Sequence, residues 1–242
     1  MSHVERQRTW RFPRMLLRGH IAFGALMWAA LMLVTLGLAA GFAVFSEVPG
    51  SIWEDSSQIA AWYVGGVSGY IVYQTVPMLI AHGRTRRDVA IETVVFMGIF
   101  AAFAGALVAV GYLIEYAIFG ITGWSRELKG EQLFSSHLDT GMIWLQSWLT
   151  FLVWAGSGAL IGAAFYRYRD TGWLAIIPAS LLIGTIGLFT QSFWGPIGFV
   201  VDRFLSIESP SLPLAALTAT GCFLIALALT WPIVRDLPIR NR

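Results

Sequence analysis

Cysteine is nearly missing from this 242-residue chain: Cys222 is the only one, which excludes an internal disulfide and a cysteine-clustered zinc site. Lysine is as scarce, with Lys129 alone against 15 arginines, a usage typical of GC-rich bacterial genomes. Charged residues make up only 12% of the chain, whereas apolar types make up 57%. No G-x-x-x-x-G-K-[ST] stretch occurs, so ATP is not bound here in the P-loop manner. Neither H-E-x-x-H nor G-x-S-x-G occurs, and no pair of intramembrane aspartates is present. The four histidines, His3, His20, His82 and His137, fall in predicted termini and loops, and none pairs with a carboxylate at metal-ligand spacing. Without such a constellation an enzyme is not expected, and no metal site is expected either.

What the chain has instead is length without charge. Six stretches reach the roughly 20 apolar residues that a membrane-crossing helix needs: Ile21 to Phe45, Ile59 to Ile80, Val89 to Phe119, Gly141 to Tyr166, Trp173 to about Gln191, and Leu212 to Val234. The first, fourth and sixth contain no Asp, Glu, Lys or Arg, whereas a soluble helix of that length keeps a charged face toward water. The first span's roughly 25 uncharged residues exceed the about 7 to 15 of a signal peptide's apolar region, so it is read as a membrane helix rather than a cleaved leader. The third span is over-long and must tilt or project, with Glu92 and Glu115 near its two ends and able to escape the hydrocarbon.

Thirteen of the 16 Lys and Arg residues fall on one side of this pattern: the N-terminus, the loop after span two, the loop after span four (Arg167, Arg169) and the tail (Arg235, Arg240, Arg242). The positive-inside rule then makes both termini cytoplasmic. The modest net charge of +2 hides this asymmetry, and the basic balance is not read as nucleic-acid binding. The expected domains are a cytoplasmic amphipathic segment over residues 1–20, a six-helix transmembrane domain over 21–234 and a tail over 235–242. In the first, Trp10, Arg11, Arg14 and Arg18 have the spacing of a helix lying at the membrane surface. Between spans five and six, Trp194, Gly195 and Pro196 break an apolar run, as a short re-entrant element or a kinked extension of the fifth helix would. Glycines recur four apart at Gly37 and Gly41, Gly65 and Gly69, and Gly158 and Gly162, a spacing that lets helices approach closely within a bundle.

An ion-driven carrier would place an ionisable residue near the bilayer midplane, and the central thirds of the six spans have none. Glu115 is the nearest. The strongest local signal is the loop after span two, Gly83-Arg84-Thr85-Arg86-Arg87-Asp88, running into Glu92. Gly83 is suited to end one helix and Thr85 to start the next. The three arginines form a cationic platform for acidic groups on a partner or for anionic lipid.

Six spans with cytoplasmic ends, a basic amphipathic start, this G-x-T-R-R stretch and a broken apolar segment before the last span together resemble the permease subunit of the type-2 ABC exporter superfamily, in its small bacterial form. The resemblance implies an all-α membrane fold with an N-terminal interfacial helix and a re-entrant element. It implies a bacterial plasma-membrane location, a second permease subunit, identical or paralogous, and separate cytoplasmic P-loop ATPases that carry ATP and magnesium. Gly83 through Asp88, with Glu92, would form the coupling helix that docks on the ATPase. The long third span and the roughly 20-residue second outer loop depart from the family pattern. Tyr73, Gln74, Trp144, Gln146, Trp148 and Gln191 are the uncharged aromatic and amide residues expected to line a cavity for a drug, peptide, lipid or natural product. A non-transporting scaffold or regulatory subunit, and a secondary carrier, are the alternatives.

Overall fold

The computed structural model describes residues 11–46, 48, 50–128, 132–190 and 211–236, with side chains from residue 16 onward. Among these residues there are helices and connecting segments, and no strands. Helix α1 spans Arg11–Phe45. A short α2 (Trp53–Ser56) leads into α3 (Gln58–Tyr70), a π-helical segment (Ile71–Thr75) and α4 (Val76–Ala81). Then come α5 (Arg86–Thr122), α6 (Thr140–Tyr168), a 3-10 segment (Arg169–Ala175), α7 (Ile176–Thr190) and α8 (Leu212–Arg235).

Among the described residues, five helical stretches are long and apolar enough to cross a membrane: Leu16–Phe45, Trp53–Ala81, Arg86–Thr122, Thr140–Thr190 and Leu212–Arg235. The expected fourth and fifth spans therefore form one helical run of 51 residues, and that run is bent. Arg169, at φ 47° and ψ −99°, ends α6 with a positive φ unusual for a residue with a side chain. Gly172 lies so close to the Cα of Phe165 that an added Cβ would sit 2.7 Å from it. The chain folds back, and the Thr190 carbonyl at the end of α7 returns to Gln146 near the start of α6. Helix α7 has 15 residues, about 22 Å at 1.5 Å per residue, which is less than the roughly 30 Å of hydrocarbon. At the other extreme, α5 has 37 residues, about 55 Å, as its over-long apolar pattern predicts.

The surface-helix boundary expected at residue 20 is not marked by a break, since α1 runs continuously from Arg11. Arg11 and Arg14 lie in this helix, and Arg18 is exposed on it. Trp10 lies outside the described residues, as do Gln191, Trp194, Gly195 and Pro196. His20 is helical rather than in a terminus, and its ring packs edge-on to Phe96 and Phe100 of α5.

Helix α6 is central and packs on α3, α5, α7 and α8. Lipid tails offer no hydrophobic drive for helices to associate, so close backbone approach and interhelical hydrogen bonds supply it. The glycine pairs of α3 and α6 meet face to face: a Cβ on Gly158 would lie 2.0 Å from the Gly65 carbonyl oxygen, and one on Gly162 would lie 2.2 Å from that of Gly69. Gly37 and Gly41 of α1 have nothing within 4 Å. On the other side of α6, Trp144 and Trp148 stack with centroids 5.4 Å apart. Their indole N–H groups donate to the α5 carbonyls of Ala102 and Gly98 at 2.9 and 3.1 Å.

Helix directions follow from these contacts. Arg86, in the first turn of α5, donates to the Arg235 carbonyl, and Arg167, in the last turn of α6, donates to that of Asp236. The turn after α4, the end of α6 and the end of α8 thus share one arginine-rich end.

Candidate functional site

At the opposite end a cavity of about 240 Å³ lies between α3, α5, α6 and α7. Its floor is polar, built from Glu54, Gln132 and Gln146. Gln132 Nε2 donates to Glu54 Oε1 at 2.8 Å. Gln146, 5% exposed, accepts the Leu133 N–H at 2.9 Å and donates to the Gln132 amide oxygen and the Thr190 carbonyl at 3.4 and 3.3 Å. One amide therefore holds the segment before α6 and the end of α7 against the same wall. The Thr150 hydroxyl, also lining the cavity, is buried with no hydrogen-bond partner among the described residues. A buried hydroxyl left in that state gains from a ligand that can bond it.

Carbon dominates the rest of the wall, and Trp62 and Trp154 pack edge to face with centroids 4.6 Å apart. Both indoles also line a second, more apolar groove of about 730 Å³, which runs along α3 and α6 past the close-packed glycines to Tyr73 and Phe165. Ser180 and Ile183 of α7 line both spaces. The groove and the polar cavity therefore meet at one aromatic pair.

Beside the cavity lies a node absent from the sequence expectation. Glu115 does not escape to water but is 1% exposed. Its carboxylate accepts from Ser51 Oγ at 2.6 Å and from the backbone N–H groups of Ile52 and Trp53 at 2.9 and 2.8 Å. These are orphan donors of a helix start, where negative charge is also favoured by the helix dipole. His137, 3% exposed, places Nε2 3.4 Å from Glu115 Oε2. Trp53 is fully buried, donates its indole N–H to the Val108 carbonyl at 3.0 Å and lies flat against Gly111, where a Cβ would be 2.1 Å from the ring. Among the described residues no group of three or more His, Cys, Asp and Glu is arranged to hold a metal ion.

The arginine-rich end carries the other predicted site. Gly83, at φ 83°, closes α4 in a double-bonded C-terminal cap: its N–H donates to the Ile80 carbonyl at 3.0 Å, and the Arg84 N–H to that of Leu79 at 3.1 Å. Thr85 Oγ1 accepts the Asp88 N–H at 3.2 Å and starts α5. Arg84 reaches across the turn to Glu92, with Nη2 to Oε1 at 2.5 Å, so Glu92 is buried and paired rather than released to water. Residues 82–85 form a tight turn with no helix of their own, and Arg86 through Glu92 are the first turns of α5.

The expected cavity residues are dispersed. Gln146 is in the polar cavity and Tyr73 in the adjoining groove. Gln74 is exposed within the π-helical segment. Trp144 and Trp148 face α5 and join helices instead of lining the cavity. Glu54, Gln132 and His137 were not singled out from sequence; each sits in a polar segment whose inward turn no local pattern announces. No family model matches this chain, no curated protein matches it, and no solved structure matches it.

Proposed function

We propose that this chain is the membrane-spanning permease subunit of an ATP-driven exporter of the type-2 ABC superfamily, moving an amphipathic cargo. The observation that carries this reading is the apolar groove that meets a polar-floored cavity at Trp62 and Trp154. An amphipathic molecule can keep its apolar body in the groove while its polar end reaches Gln146, Thr150 and Glu54. A scaffold has no use for such a passage.

One span joins this passage to the basic turn. Trp53–Ala81 carries Ser57, Gln58 and Trp62 at the cavity and runs into Gly83 through Asp88 at its far end. Midway, the π-helical segment has the Val76 N–H bonded to the Ile71 carbonyl, and Pro77 follows with no N–H to offer the Tyr73 carbonyl. π-helical turns are frequent at functional sites, and Pro77 supplies no N–H to hold this one in α-helical register. In this reading the doubly capped turn docks on a separate cytoplasmic ATPase as a rigid knob. ATP-driven closure, with magnesium on the ATPase, shifts the span and closes or opens the Trp62–Trp154 passage. Coupling requires that the two states contact the cargo differently, since a cargo held equally in both shifts nothing. Six crossings, with α7 as the fifth, and a second permease subunit complete the arrangement, and both termini are cytoplasmic.

The test is affinity purification of the full chain in detergent from its native host, followed by mass spectrometry and an ATPase assay. A parallel preparation carries Arg84→Glu, Arg86→Glu and Arg87→Glu, with thermal melting to check its fold. Recovery of a P-loop ATPase that is lost from a folded triple variant supports the proposal. No ATPase in the unaltered preparation would overturn it.

A further inference from the structure

A third space, of about 490 Å³, opens between the π-helical segment, α5 and α8 at the arginine-rich end. Its walls are aliphatic, with Val76, Val94, Leu227 and Val234 among them. Two hydroxyls reach it, and both are already engaged: Thr93 donates to the Val89 carbonyl and Thr230 to the Ala226 carbonyl, each at 2.7 Å. Between α5 and α8 the groove therefore offers an occupant mostly carbon.

Arg87 is the exception on its lining. Arg84 is held by Glu92, while Arg86 and Arg167 bond carbonyls at the end of α8. Arg87 is exposed and makes no hydrogen bond or ion pair among the described residues. Trp231 lies on the same lining, 40% exposed, a residue type that settles at the level of lipid headgroups. From Arg87 to Met97 the groove follows ten residues of α5, about 15 Å at 1.5 Å per residue, or half the roughly 30 Å hydrocarbon core. Its depth is that of one leaflet.

We infer that this groove binds an anionic phospholipid from the leaflet at the arginine-rich end, with one acyl chain between α5 and α8 and the phosphate on Arg87. A carbon-lined slot of single-leaflet depth that ends in a free guanidinium matches both parts of such a lipid, and basic pockets between membrane helices bind anionic headgroups. A second copy of this chain is the poorer occupant, because it would bring its own arginine-rich end against this one. The site does not depend on the exporter reading.

The test is native mass spectrometry of the full chain in detergent, titrated with phosphatidylglycerol or phosphatidylcholine, using the unaltered protein, Arg87→Gln and Val94→Trp. The expected result is one saturable phosphatidylglycerol adduct in preference to phosphatidylcholine. Arg87→Gln, a change at an exposed side chain, lowers that preference about fivefold, as loss of one basic contact implies. Val94→Trp fills the groove and removes the saturable adduct of either lipid, with helicity by circular dichroism reporting its fold. Equal preference in the unaltered protein and Arg87→Gln, the absence of a saturable adduct, or a lipid-free dimer in its place would each overturn the proposal.

Discussion

Glu115 Oε1 accepts the backbone N–H of Trp53 at 2.8 Å, so a side chain on α5 caps the start of a different helix. The same carboxylate takes Ile52 N–H and the Ser51 hydroxyl, and all three donors belong to buried residues. Glu115→Ala leaves them orphaned at about 1–3 kcal/mol for each group, so a loss of about 3 kcal/mol is expected. Glu115→Gln keeps an acceptor and is expected to lose less. Thermal unfolding in detergent measures both, and equal melting of all three proteins would refute the capping role.

Close packing of α3 on α6 depends on bare glycine backbone. Gly158→Ala would bring a methyl group to 2.0 Å from the Gly65 carbonyl oxygen, and the helices must separate, at a cost of about 3 kcal/mol. Gly37→Ala meets nothing within 4 Å and is expected to stay within about 0.5 kcal/mol of the parent. Comparison of the two melting curves decides whether the glycine spacing or its neighbours matter.

The pairing of Arg84 with Glu92 should show as a coupling energy. Arg84→Ala strands a carboxylate that is 9% exposed, whereas the double variant with Glu92→Ala removes both charges. A double-mutant cycle is expected to return about 1–2 kcal/mol. Additive effects would mean that the turn is held by its backbone caps alone.

Gln146 and Trp148 lie two residues apart on α6 but have different jobs. Trp148→Phe removes one indole bond to the Gly98 carbonyl and should cost about 1 kcal/mol of stability, with little effect on cargo affinity. Gln146→Leu strips the cavity floor and should weaken binding of an amphipathic fluorescent probe about tenfold or more, through loss of a hydrogen bond in a buried site. Equal losses of binding in the two variants would mean that the polar cavity is not where the probe sits.

The apolar stretches were legible because crossing hydrocarbon imposes a length and a lack of charge that no soluble fold requires, though not that the expected fourth and fifth join in one run; the arginine asymmetry follows the same logic. Gly83 and Thr85 were legible because caps are local: their bonds reach no more than five residues along the chain. Trp144 and Trp148 were assigned to a cavity because an aromatic residue at helical spacing looks the same whether it meets cargo or a neighbouring carbonyl. Glu115, His137, Glu54 and Gln132 acquire meaning only from partners between 14 and 78 residues away. Such pairings depend on how the helices pack, and packing is set by small residues, whose spacing does not name the partner helix.

The sequence by itself determined that the chain is a multi-pass helical membrane protein, that α5 is over-long, and that one turn is basic and capped, since hydropathy and capping act within a single segment. Tertiary structure alone decided that the run from Thr140 to Thr190 doubles back on itself, that a carboxylate near the end of α5 caps another helix, and that a carbon groove meets a polar cavity at Trp62 and Trp154. Each of these is a relation between surfaces of different helices, fixed by where backbones can approach.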